Sequence, residues 1–236
     1  MNILAIETTA AAASAAIIDG DECVHEVKSE ANMTHLQNLM PLIEQVLEDC
    51  DLRLSDIGGI AVSRGPGSFT GIRIGMATAK GLAQVLKVPV AEVPTLKAMS
   101  MNGWNFGGIV CPVLDARRSQ VYSAAYVFEE DEMKEILPEG AYDPRTVADA
   151  VAGKGPVLFM GDGIGNPKIR TILEEGVGQE AFFASEERRF QTAEMVAVLG
   201  LEIFKEGKAV PYDRAQPEYL RKSEAERKRE EKEKTK

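Results

Sequence analysis

The sequence predicts an α/β fold of two related lobes, each a mixed sheet flanked by helices. Three observations carry that reading. Short runs alternating small and β-branched residues open the chain, and similar runs begin again after Gly107-Gly108. After each opening, helical and strand-like segments alternate, which favours a sheet with helices on its faces. The chain has 236 residues, 44% of them hydrophobic, enough for one large domain or two small ones with real cores.

The elements follow in order. "NILAIETT" and "AASAAIID" alternate around a polar "TTAA" turn, and Asp19-Gly20 leads into "ECVHEVK", so three sequential antiparallel strands are expected. A helix is predicted over Leu36–Cys50, because Leu36, Leu39, Met40, Ile43, Val46 and Leu47 recur at helical spacing and Thr34 with Gln37 forms a capping box. Pro41 conflicts with it: either the helix begins near Met40 or it kinks where the Gln37 carbonyl loses its partner. "IGGIAVSRG" reads as a strand, Gly71–Lys87 as a helix, "PVAEV" as a strand and Thr95–Met101 as a short helix. In the second half "IVCPVLDA", "SQVYSAAYVF" and "EMKEILP" are again three strands, with "VLFMG" and "FFAS" as later ones among helices. The expected division is therefore 1–106, 107–221 and a charged tail, 222–236. A plan used twice without an internal sequence repeat is the architecture of the sugar kinase, Hsp70 and actin group, in which a nucleotide lies between the lobes on turns that follow their first strands.

Composition narrows the functions. No apolar run approaches the roughly 18 residues a membrane helix needs, and "MNILAIETT" lacks the basic start of a signal peptide. Cys23, Cys50 and Cys111 are odd in number and lack metal-ligand spacing, which points to reduced thiols in a cytoplasmic protein. Residues 222–236 carry seven basic and five acidic side chains, so with a net charge of -10 the remainder carries -12. Such a body repels phosphate backbones, and nucleic-acid binding is expected to come mostly from another chain.

The loop "SRGPGSFTGIRIG", Ser63 to Gly75, is the densest motif. It is no P-loop, because Ile72 stands where the lysine belongs. It is no nucleophile elbow either: Ser68 has Pro66 and Thr70 where glycines are needed, and only His25 and His35 could serve as a base. What remains is a turn that either holds an anion at a helix N-terminus or shapes a close packing. The second use is favoured by Gly71, Gly75, Ala79 and Ala83, four residues apart, which make a smooth ridge. The ridge could meet the chain's own sheet, a neighbouring helix or a partner. The expected partner face comprises Leu36, Leu39, Met40 and Ile43 on one helix and Gly71, Ile74, Gly75, Ala79 and Leu82 on the other. A vestigial nucleotide site is the other candidate: Glu7, Thr8 and Thr9 at the first turn, Asp115 and Arg117 at the second, and Gly161 and Gly163 in "MGDGIGN". Asp115 would orient a magnesium-bound water or cap its own turn.

"ILAIETT", "HLQNLMPLI", "SRGPGSFTGIRIG", "KGLAQVLKVPV", "LDARRSQVY" and "QPEYLR" together resemble the TsaB (YeaZ) family, from the start of the chain to about Lys222. The resemblance implies an actin-like fold of two lobes and a cytoplasmic, non-catalytic protein. It implies that the chain binds and activates the TsaD-like paralogue that transfers threonylcarbamoyl to adenosine 37 of tRNA, with a TsaE-like ATPase subunit in the larger complex and a homodimer when alone. TsaD-like catalysts carry two metal-binding histidines four residues apart after "VPV"; here Thr95 and Met99 stand at the matching positions, so neither metal nor cofactor is expected. An actin-like ATPase or kinase with its own nucleotide site is the alternative function, and a peptidase using Ser68 the third.

Overall fold

The computed structural model of the chain describes residues 1–20, 22–30, 35–129 and 132–221; the side chains of 22–24, 35 and 36 lie outside that description. The first sheet holds β1 (Asn2–Glu7), β2 (Ser14–Asp19), β3 (Glu22–Lys28), β4 (Ile57–Gly65) and β5 (Val90–Pro94) in the order β3-β2-β1-β4-β5. β1 pairs antiparallel with β2, as their short turn permits, and parallel with β4, which α1 (His35–Asp49) makes possible by crossing between β3 and β4. α2 (Phe69–Leu86) connects β4 to β5, which are parallel.

After α3 (Thr95–Ser100) the plan is repeated with β6 (Ile109–Asp115), β7 (Val121–Glu129), β8 (Glu132–Tyr142), α4 (Pro144–Val151), β9 (Val157–Met160), α5 (Pro167–Val177) and β10 (Ala181–Phe183). Their order, β10-β9-β6-β7-β8, reproduces that of the first sheet strand for strand, with β6 again antiparallel to β7 and parallel to β9. The two mixed sheets have the actin-like arrangement that the element order predicts.

Each sheet is covered on both faces. α1 and α2 lay Leu39, Ile43, Val46, Met76, Ala79 and Ala83 over one face of the first sheet, and α4 and α5 cover the corresponding face of the second with Val147, Val151, Ile169 and Leu173. α3 puts Leu96 and Met99 on the second sheet's other face. The last helix, α6 (Ala193–Lys205), returns to the first lobe, where Val196, Ala197 and Leu199 close over Ile3, Ala5, Ala61 and Ala91.

That return corrects the expected division of the chain. Residues from Ala193 onward pack on the first lobe rather than the second, because the small side chains of β1, β4 and β5 leave a face that only a later helix covers. Beyond α6 the chain runs along the first lobe's edge. Val210 and Val90 exchange both backbone hydrogen bonds at 2.8 Å, Ala215 is buried, and Glu218 N donates to Arg64 O at 2.8 Å. Pro41 lies on the exposed face of an α1 that begins at His35, so the helix does not start near Met40. The expected Thr34 cap lies outside the described residues, as does the tail from 222.

Candidate functional site

The loop between β4 and α2 sets the chain's two candidate surfaces. Ser68 caps α2, its Oγ accepting a hydrogen bond from Gly71 N at 3.2 Å, and Ser68 N donates to Thr9 O at 3.0 Å. The start of the helix thus lies on the β1–β2 turn. Contact is so close that a Cβ at Gly71 would stand 1.9 Å from Thr8 O, and one at Gly75 would stand 2.3 Å from Thr8 Oγ1, which itself donates to Gly71 O at 2.8 Å. Ala79 and Ala83 continue the same line with no exposed surface.

The small-residue ridge is therefore real but faces inward, which corrects part of the expected partner face. Gly71, Gly75, Ala79, Leu39 and Ile43 are buried in the chain's own core and are not open to a partner. Met40 is exposed, Ile74 and Leu82 are half-buried, and the side chain of Leu36 lies outside the described residues. The outward face of α2 carries a different series, Thr70, Arg73, Ala77, Gly81 and Gln84, beside Val85, which at 76% is the most exposed large apolar residue among those described. Nothing lies within 4 Å of where a Gly81 Cβ would be. Sequence spacing also makes this second small pair visible, four residues apart, but gives no way to tell which of two ridges faces the sheet.

Between the lobes lies a cleft of about 580 Å³, lined by Thr9, Ser68 and Phe69 on one side and by Asp115, Arg117 and Asp162 on the other, with Gln191 also in its lining. Of the candidate nucleotide residues, Thr9, Asp115 and Arg117 reach it; Glu7 and Thr8 do not. Glu7 is wholly buried, where its carboxylate accepts hydrogen bonds from Thr9 N, from Thr9 Oγ1 at 2.6 Å and from Ser63 Oγ. Desolvation raises its pKa, and those hydrogen bonds only partly offset the rise. Asp115 accepts a hydrogen bond from Arg117 N at 2.7 Å and so caps its turn. Asp162 Oδ1 accepts Asp115 N at 2.9 Å, and desolvation raises this carboxyl too. Gly161 and Gly163 let their turn lie on β6, where added Cβ atoms would stand 2.2 and 2.8 Å from Val113 O. Asp162 was readable only as part of a turn and Gln191 not at all, since residues before a helix cap carry no periodic signal.

His25 Nε2 lies 3.0 Å from Asp49 Oδ2 across β3 and α1, while Ser68 Oγ is occupied as a helix cap. Thr95 and Met99 are both fully buried. Among the described residues no three His, Cys, Asp or Glu side chains cluster as a metal site would require, and no helix is long and apolar enough to cross a membrane.

Comparison with known proteins agrees with this geometry. The family model of TsaD, tRNA N6-adenosine threonylcarbamoyltransferase, matches residues 27–229. The tRNA threonylcarbamoyladenosine biosynthesis protein TsaB of Bacillus subtilis is 32% identical over 229 residues, which are 97% of either chain. The crystal structure of YeaZ from Pseudomonas aeruginosa superposes with a TM-score of 0.78 at 27% identity, over 93% of this chain and 99% of that one. Component A of (R)-2-hydroxyglutaryl-CoA dehydratase from Acidaminococcus fermentans shares the fold alone, with a TM-score of 0.51 at 15% identity over 86% of this chain and 98% of that one. With similarity running nearly end to end and a duplicated sheet order to match, the chain belongs to the TsaB (YeaZ) family, within the wider group that the TsaD family model describes.

Proposed function

We propose that this chain is the non-catalytic partner of a TsaD-like paralogue in cytoplasmic threonylcarbamoyl transfer to adenosine 37 of tRNA. The observation that carries the reading is its near full-length similarity to a protein named for threonylcarbamoyladenosine biosynthesis. Side-chain chemistry supports the division of labour: Thr95 and Met99, buried in the core, offer a hydroxyl and a thioether where a metal-dependent transferase needs imidazoles. The partner face on this reading is the outer side of α2 with Met40 of α1. Ala77 and Gly81 let a partner helix approach closely, and Ile74, Leu82 and Val85 grip it. A TsaE-like ATPase joins the larger complex, and the same face pairs two copies when the paralogue is missing.

Reconstitution tests this. The chain alone should leave tRNA unmodified, and adding it to the paralogue and the ATPase subunit should switch modification on. Threonylcarbamoyladenosine formed by this chain alone would overturn the assignment. Gly81→Leu, placed in open space, should leave the fold intact while weakening binding to the paralogue by roughly tenfold or more, the equivalent of about 1.4 kcal/mol. The cleft favours a second reading, an ATPase in its own right, since Asp115, Arg117 and Asp162 line it. Against it stands Glu7, whose carboxylate is committed to Thr9 and Ser63 behind the cleft wall. Calorimetric titration with ATP and magnesium separates the two readings, and turnover by the isolated chain would establish the second.

A further inference from the structure

Beyond α6 the described residues run to "QPEYLR", Gln216 to Arg221, and the structure gives that segment a position the function above does not use. Running past the end of β4, it lays Tyr219 against the first turns of α2. There the Tyr219 and Phe69 rings lie 4.7 Å apart, centroid to centroid. The Arg73 guanidinium carbon stands 3.9 Å above the Phe69 ring and 5.8 Å from the Tyr219 ring, and Arg73 Nε donates to the Tyr219 hydroxyl at 3.0 Å. Two further contacts fix the segment itself: Lys80 Nζ donates to Ala215 O at 2.8 Å, and Arg221 Nη1 donates to Ala116 O at 2.9 Å.

This stack differs from an ordinary surface arginine in three ways. First, one face of the guanidinium is covered and its Nε is used, so the side chain is held in one geometry before anything binds. Second, the contacts given for it among the described residues are rings and a phenol, none of them a carboxylate, and the residue is exposed. Third, it stands one helical turn from Ala77 and two from Gly81, on the exposed side of α2. Held planar donors next to a close-approach seam suit a bidentate carboxylate, and Arg and Tyr are the residue types that anchor interfaces.

We infer that the Phe69–Arg73–Tyr219 stack is the polar anchor of the partner face, presenting the Arg73 guanidinium to a carboxylate on the interface helix of the TsaD-like paralogue. Arg73 is the cation that α2 presents to an acidic group there, since Lys80, midway along the helix, is turned back onto Ala215 O. The C-terminal segment thereby becomes part of the interface, through Tyr219, which shapes the arginine. The inference rests on the paralogue reading, and the test keeps the two apart.

Binding to the purified paralogue is measured by calorimetry at low and high salt for the full chain and for Gly81→Leu, Arg73→Ala, Arg73→Lys and Tyr219→Ala, each first shown to fold by circular dichroism. Arg73→Ala should lose tenfold or more in affinity together with much of the salt dependence. Arg73→Lys should recover part of the salt dependence but little of the affinity, since a point charge cannot replace the bidentate fork. Tyr219→Ala should weaken binding less than Arg73→Ala does. If Gly81→Leu weakens binding while both Arg73 variants bind as the full chain does, the stack only fastens the C-terminal segment, and the inference falls while the paralogue reading stands. If the Arg73 variants lose self-association in sedimentation but keep the paralogue, the carboxylate belongs to a second copy and the assignment is overturned. If the full chain does not bind the paralogue at all, the underlying reading fails first.

Discussion

Gly75 and Gly81 lie on the same helix and respond to opposite forces. In an exposed helix, alanine in place of glycine gains up to about 1 kcal/mol by restricting the unfolded chain. Gly81 has only solvent beyond it, so Gly81→Ala should raise stability by about 0.4–1 kcal/mol. At Gly75 the new methyl would meet Thr8 Oγ1 at 2.3 Å and push it off Gly71 O, so Gly75→Ala should cost about 1–3 kcal/mol instead. Denaturant melts of the two variants decide the matter, and a gain at both sites would show that α2 does not press on the β1–β2 turn. Glu7 gives a second residue-scale expectation. Its folded pKa lies above the ordinary 4.5, so the folded chain holds this proton longer than the unfolded chain does. The stabilising contribution of Glu7 is thus greatest below 4.5 and declines as pH rises from there through the raised folded pKa. The stability difference between the native chain and Glu7→Gln should shrink as pH rises above 4.5, and a difference that stays constant would mean that the carboxylate is ionised in the folded chain as well. The sequence marks Gly75 as part of a ridge and Glu7 as a turn carboxylate. What it cannot mark is the atom on the far side of each, Thr8 Oγ1 or Ser63 Oγ, because those contacts cross strands.

Among elements, α6 teaches most about what a sequence leaves open. Its apolar period and its Thr192 cap, whose Oγ1 accepts Met195 N at 3.3 Å, are local features. Its destination is not local: it closes on Ile3, Ala5, Ala61 and Ala91 of the first sheet, more than a hundred residues earlier. A Cβ on Gly200 would lie 2.4 Å from Ala61 Cβ, so the fit depends on small residues in both elements. The strands of both sheets were legible because period-two alternation is intrinsic to each, and the doubled order of turns suggested the doubled sheet. The ridge of Gly71, Gly75, Ala79 and Ala83 was legible as a face of α2, but a face does not name what covers it. It follows that residues 1–106 should not fold alone, since one side of their sheet would lie open to water. Circular dichroism and proton–nitrogen spectra of that fragment should show an aggregating or disordered chain, and linking 193–221 to it should restore dispersion. A cooperative melt of 1–106 by itself would mean that α6 is an accessory rather than a wall of that core.

At the scale of the whole molecule, charge and shape together decide how tRNA can be met. The chain carries -10 overall, and its basic excess is concentrated in residues 222–236, where seven cationic side chains face five acidic ones. Affinity for a phosphate backbone comes from released counterions, with a salt slope that grows with the number of phosphates contacted. Arg117 and Arg118 are exposed at the β6–β7 turn, but Asp115 and Asp162 stand beside them, so the cleft mouth offers no continuous cationic track. Weak tRNA binding by the isolated chain is therefore expected, with a shallow salt slope, and removing 222–236 should abolish it. The complex with the paralogue should bind far more tightly and with a steeper slope, since the additional phosphate contacts must come from the other subunit. Titrations of labelled tRNA with the full chain, the truncated chain and the complex, each across a range of salt, measure both quantities together. Tight, salt-resistant binding by the truncated chain would place an RNA surface on this acidic body, where the distribution of charge gives no reason for one.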